Sequence, residues 1–186
     1  MSSSSRRANL KIGMGSVVCE EAILKGDVTI GPRTVVHPRA NIIAEAGPII
    51  IGEGNIVEEM ATIINRISSD QNVTPVQIIG NYNVFEVDST CEASKVGDNN
   101  ILESKAFVGK EVEITNGCII GTSVTISDQE VLPENTIIYG SDCQRREMND
   151  KPFPQIGQLD YLVKILPNYH HIHKPNVKPH KTEPSI

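Results

Sequence analysis

Aromatic side chains are scarce in this sequence: there is no Trp, and four Tyr and three Phe make up only 4% of the 186 residues. An interior without large rings must be filled by Ile, Val, Leu and Ala, and a narrow stacked prism suits that palette. Basic charge is also in deficit, with 17 Lys and Arg against 23 Asp and Glu and a formal net charge of -6. Phosphate neutralisation needs clustered cations, so a broad nucleic-acid surface is excluded and a basic partner is favoured. No C-x-x-C pair occurs, because Cys19, Cys91, Cys118 and Cys143 are scattered, and no secretory leader precedes them. Free thiols in a reducing compartment are expected, with Cys91 and Cys118 as small apolar fillers rather than metal or redox groups. No apolar run approaches the roughly 18 residues that span a bilayer, so a soluble cytoplasmic chain is expected, with no membrane insertion. Phosphate-cradling glycine motifs and a G-x-S-x-G elbow are missing as well.

What the sequence has instead is a period of six. From Val96 onward an aliphatic residue recurs at Leu102, Val108, Ile114, Ile120 and Ile126. A helix needs apolar spacing near 3.6 and a strand needs 2, so this period belongs to neither alone. Short strands joined by tight turns, three hexads to a triangular coil, would aim every one of these side chains at a common axis. The same register opens at Ile12, Val18, Leu24, Ile30, Val36 and Ile42, breaks at Gly47-Pro48, resumes at Ile51, Val57 and Ile63, and returns at Ile79, Phe85 and Cys91. One residue is lost before Val96 and another after Ile126, so that Val131 and Ile137 close the series. The expected fold is all-β, a single-stranded left-handed parallel β-helix of about seven coils, each adding ~4.8 Å.

Around this prism, residues 1-9 are Ser-rich and expected to form a disordered arm, with the β-helix over 10-142. A polar insert, 65-77, must bulge outward, either as a contact loop or as a passive excursion. Within it Thr74-Pro75 is a candidate site for proline-directed phosphorylation. Residues 143-155 read as a connector, and Ile156, Leu159, Leu162, Val163 and Leu166 at helical spacing predict a short helix over 156-167 packed on the prism. A largely disordered tail is expected over 168-186.

A second pattern overlies the first. The segments 51-59, 79-87 and 96-104 share the form aliphatic-Gly-x-x-Asn-aliphatic-aliphatic-Glu. Asn55, Asn83 and Asn100 should stack as a corner ladder, on the ground that Asn tolerates left-handed dihedrals and bonds to its stacked copy. Glu58, Glu86 and Glu103 should form an outward stripe of carboxylates, a candidate interface for a basic partner or a solvated face. If it is an interface, charge reversal at all three should weaken assembly and leave thermal stability nearly unchanged.

Two enzyme classes use hexad β-helices: acyltransferases with a His general base, and γ-class carbonic anhydrases with three His ligands on zinc. The repeat region holds one histidine, His37, which cannot supply the triad and has no evident orienting carboxylate. His170, His171 and His173 cluster only in the C-terminal tail. No catalytic residue, cofactor site or metal site is therefore assigned.

The runs GDVTIGPRTVVHPRANIIAEAGPIIIGEGNIVEE (26-59), IIGNYNVFEV (78-87), GDNNILESKAFVG (97-109) and KILPNYHH (164-171) resemble the dynactin subunit 6 family, and the resemblance covers nearly the whole chain except its tails. It implies a non-enzymatic, cofactor-free scaffold built on a left-handed β-helix. It implies pairing with dynactin subunit 5 in the pointed-end complex, together with dynactin subunit 4 and an actin-related protein. Dynein is then an indirect partner, with roles in cargo and membrane targeting and at kinetochores. Some family members carry a Thr-Pro near the C-terminus; here Thr182 is followed by Glu183, so that phosphorylation motif does not transfer.

Overall fold

In the computed structural model, residues 9-66 and 75-176 are described. Short strands alternate with tight turns so regularly that every third strand pairs, in parallel, with the same neighbours, and three sheets close a triangular prism. The first face runs from Asn9–Ile12 to Glu130–Leu132, the second from Val17–Val18 to Thr136–Tyr139, and the third from Ile23–Lys25 to Thr125–Ile126. About seven coils result at the ~4.8 Å strand spacing. The hexad residues point inward as columns: Ile12, Ile30, Ile51, Ile79, Val96 and Ile114 on the first face, Val18, Val36, Val57, Phe85, Leu102 and Ile120 on the second. All are essentially inaccessible to water. Stacking aliphatic residues on aliphatic residues, each stabilising by about 1.5–3 kcal/mol when fully buried, is what holds a coil too small to fold alone.

The closing register differs from the expectation. Val131 is 61% exposed, whereas Leu132 and Ile138 are fully buried. The period of six continues unbroken from Ile126, and no residue is lost there. Val131-Leu132 and Ile137-Ile138 are aliphatic pairs, so the sequence offers two candidates at each step, and only the pairing of Ile114 with Leu132 and Ile120 with Ile138 selects the second.

The Asn corner also differs in its backbone. Asn55, Asn83 and Asn100 are stacked and fully buried, but the left-handed residues are their predecessors Gly54, Tyr82 and Asn99, at φ of 65°, 55° and 58°. At Gly54 a side chain would meet the Tyr82 ring at 2.6 Å, which leaves glycine as the residue that fits.

The connector expected over 143-155 contains a strand. Gln144–Glu147 turns back and pairs antiparallel with Thr136–Tyr139, covering the last edge of the second face. All four of its side chains are exposed, so it carries no apolar periodicity to read; the backbone pairing suffices, and charge on an edge strand discourages further pairing. Arg145 braces it by a bidentate contact to Glu130, one arm at 2.7 Å.

The chain then returns along the outside of the second face. Helix α1, Ile156–Ile165, followed by a 3₁₀ turn Leu166–Asn168, packs Leu159 and Leu166 onto Val17, Cys19, Val35, Ile56 and Val84. Asp160 pairs with Arg33 at 2.7 Å and Gln158 reaches Glu58 at 3.3 Å, fixing its two flanks. Residues 168-176, within the tail expected to be largely disordered, are held against the first coil. Glu20 donates to the His171 carbonyl at 2.8 Å and His173 to that of Val18 at 2.9 Å. The Asn176 side chain accepts from the Ile12 amide at 2.8 Å and donates to the Leu10 carbonyl at 2.7 Å. Open strand edges on the first coil supply these partners, and a Pro/Lys/His-rich composition does not reveal them. At the other end of the chain, Asn9 is not part of an arm but opens the first strand, opposite Asp27.

Candidate interaction surface

Each coil presents the same corner to the next, so the side chains that carry chemistry come in rows. In the Asn row, the Asn55 side-chain oxygen accepts from the Asn83 backbone and side-chain nitrogens at 2.9 and 3.0 Å. Asn83 does the same for Asn100, at the same distances, and Asn100 accepts from the Cys118 amide at 2.7 Å. A second row runs beside it and was not singled out in the sequence. The Asn81 oxygen accepts from the Glu53 amide, Asp98 from that of Asn81, and Asn116 from that of Asp98, at 2.8, 2.6 and 2.8 Å. An Asx residue two before Asn83, Asn100 and Cys118, at 81, 98 and 116, is the signal that could have found it. Both rows tie coil to coil.

The carboxylates Glu58, Glu86 and Glu103 do form one row, at the corner that follows the second face, and each is half-buried. They are not idle. One Glu86 oxygen accepts from the Ser104 amide and hydroxyl, both at 2.9 Å. One Glu103 oxygen accepts from the Thr122 amide and hydroxyl at 2.8 and 2.9 Å. Burial, followed by the neighbouring Glu86 charge, pushes the Glu58 carboxyl up, against the bond that it accepts from Gln158. Charge reversal here would aim an ammonium at backbone N–H donors, so the expected neutrality of that change for stability fails. Glutamine keeps the acceptor, and is the substitution that tests charge alone.

His37 lies at the same corner, one coil nearer the start. Its Nε2 is buried without a hydrogen-bond partner. Burial above all, and then the nearby His170, hold its pKa below 6.5, against the pull of Glu59. A histidine whose folded pKa is depressed contributes stability that is whole above the unfolded value and lost as pH falls through the folded one. The urea midpoint should therefore drop as the pH is lowered below the ordinary histidine value of about 6.5, and His37→Gln should flatten that slope. Parallel slopes in the two proteins would remove His37 as the cause.

The tail histidines are spread out rather than converging. His170 Nδ1 sits 3.0 Å from Glu21, and this contact lowers the Glu21 carboxyl, while His171 and His173 engage the first coil through their backbones. Among the described residues no three of His, Cys, Asp and Glu are grouped so as to hold a metal ion. Burial raises the Cys91 thiol to about 12 and the Cys19 thiol to about 11, and raises that of Cys118; Cys143 is the one cysteine not buried. A maleimide at neutral pH should thus label Cys143 alone within minutes and all four thiols after unfolding; rapid native labelling of two or more would contradict this burial pattern. Thr74 and Thr182 lie outside the described residues, as does most of the insert.

Taken together, three parallel sheets, a packed axis and corner rows define a single-chain left-handed β-helix of the hexapeptide-repeat class. A hexapeptide transferase family protein from Anaplasma phagocytophilum superposes with a TM-score of 0.58 over 87% of this chain and 94% of its own, and at 14% identity that likeness is one of fold. No protein-family model matches the chain. Dynactin subunit 6 of Xenopus tropicalis is 60% identical over 171 residues, covering 89% of this chain and 85% of that protein. Dynactin subunit 6 of Nematostella vectensis is 58% identical over 170 residues, covering 89% and 92%. The chain belongs to the dynactin subunit 6 family. No helix among the described residues is long and apolar enough to cross a membrane.

Proposed function

We propose that this chain is a structural, non-catalytic subunit of dynactin, seated in the pointed-end complex. In that reading it sits beside dynactin subunit 5, with dynactin subunit 4 and the pointed-end actin-related protein in the same assembly. It would serve dynein-driven microtubule transport and cargo targeting, working in the cytoplasm on the cytoskeleton, at centrosomes and, in mitosis, at kinetochores. The observation that carries the reading is identity of 60% to dynactin subunit 6 of Xenopus tropicalis across 89% of this chain. The geometry is in keeping with it. The prism offers walls, corner rows and partly covered ends, and the Nε2 of its one repeat histidine, His37, is withdrawn from solvent.

A tagged full chain expressed in cells and purified under mild crosslinking should recover dynactin, with subunits 4 and 5 at near-equal stoichiometry. Recovery of the chain free of any dynactin subunit would refute the assignment. The enzymatic alternative, a γ-class carbonic anhydrase or an acyltransferase, is tested separately by metal analysis together with CO2 hydration and acyl-transfer assays. Turnover with stoichiometric zinc would reverse the order of the two readings. Phosphopeptide mapping of the same preparation would show whether Thr74 is modified.

A further inference from the structure

We infer that the outward face of the return segment, from Phe153 to Tyr161, together with the carboxylate row beside it, is a docking surface for a basic amphipathic helix of another protein. The inference rests on the assembly reading and adds to it the place and the chemistry of one contact.

The chain has few aromatic residues, and two of them are spent on water here: Phe153 is 85% and Tyr161 63% exposed. Ile156, between them, is also exposed. The opposite side of the return segment is engaged through Leu159 of α1 and Leu166 of the 3₁₀ turn, so packing on the prism does not account for the outer side chains. Gly157 stands on the outward face one helical turn before Tyr161, and a Cβ there would meet nothing within 4 Å. Gly157 lies in the first turn of α1. Nothing in the fold requires it at this position, and it leaves a notch between Phe153 and Tyr161 into which another backbone can settle.

The occupant follows from charge and from spacing. Gln158 of α1 bonds to Glu58, which puts the row of Glu58, Glu86 and Glu103 along one flank of the segment. Phosphate polymers and anionic lipid headgroups are repelled by such a row, and a cationic protein segment is attracted. Successive carboxylates are one coil apart, ~4.8 Å, and successive turns of an α-helix are ~5.4 Å apart, so one Lys or Arg per turn stays in step over three coils. An apolar stripe beside that cationic one completes an amphipathic helix. From Ile156 onward the exposed backbone is helical and offers no edge for an extended strand to join. A patch of three apolar side chains is far below the ~1,200 Å² of a self-sufficient pair, which fits one contact within a larger assembly.

Three full-length proteins are compared for incorporation into dynactin in cells: wild type, Phe153→Ser with Tyr161→Ser, and Glu58→Gln with Glu86→Gln and Glu103→Gln. Incorporation should fall about tenfold in each variant, and in the Gln variant what remains should lose its dependence on salt. Melting curves of the isolated proteins should overlay, since the exchanged apolar residues are exposed and glutamine retains every acceptor. A photo-crosslinking amino acid in place of Tyr161 should capture a helical peptide bearing Lys or Arg at turn spacing. Normal incorporation of both variants, or crosslinks confined to an acidic or strand segment, overturns the proposal while leaving the assembly reading intact. Failure of the wild type itself to incorporate overturns both.

Discussion

Replacing Asn83 by leucine is expected to remove on the order of 3–5 kcal/mol from the stability of the β-helix, a large share of what a domain of this size possesses. The side chain is fully buried and sits in the middle of a three-rung row. Its oxygen accepts from both the backbone and the side chain of Asn100, and its amide donates to Asn55. Leucine would leave two donors on Asn100 with neither water nor partner, at about 1–3 kcal/mol each, while the Asn55 oxygen would keep only its bond from the backbone amide of residue 83. Its branched tip would also overfill a corner packed for a planar amide. Asn83→Asp separates the two roles: it retains the acceptor for Asn100, loses the donor to Asn55 and buries a carboxylate. Urea denaturation should rank wild type above both variants, with a lowered midpoint. A loss below about 1 kcal/mol for leucine would show that the row is decorative.

The second large effect is expected on ending the chain at Gln155. That truncation strips Leu159 and Leu166 from the stripe formed by Val17, Val35, Ile56 and Val84. It also frees the backbone groups of Ile12, Val18 and Glu20 that the tail now satisfies. Two buried leucines alone represent about 3–6 kcal/mol of transfer free energy. The exposed product is worse than a destabilised one, because an apolar sheet face beside an unpaired edge is a template for another chain. Sedimentation velocity should show the truncated protein associating as its concentration rises, under conditions where the full chain remains a single species. A truncated protein that stays monomeric at every concentration would mean that the return segment is dispensable as a cover.

Much of this architecture was open to inspection in the residues. The inward columns needed only the period of six, since one aliphatic residue per short strand leaves no other common axis, and the Asn row needed only its repeated spacing. Other features left no such trace. Register after Ile126 is ambiguous wherever two aliphatic residues stand side by side, and Val131 is the wrong member of its pair. The antiparallel strand Gln144–Glu147 is held by backbone bonds and displays only polar side chains. The tail is ordered by edges on the first coil, which lie more than 160 residues away in the chain. One available signal went unused. The outward neighbour of each second-face column residue is itself aliphatic, at Val17, Val35, Ile56, Val84 and Ile101, and a water-facing row would not be. That doubled pattern marks the wall on which α1 lies. The carboxylates were legible as a row but not as acceptors, because their partners Ser104 and Thr122 belong to the following coil.

The bonds between Asn176 and the strand Asn9–Ile12 give the molecule a direction. Asn9 and Asn176 are neighbours at one pole, so a fluorophore placed on either of these two residues sits on the same side. The far pole, some seven coils or ~30 Å away, remains unencumbered. A label at either of these positions therefore reports which way the prism points.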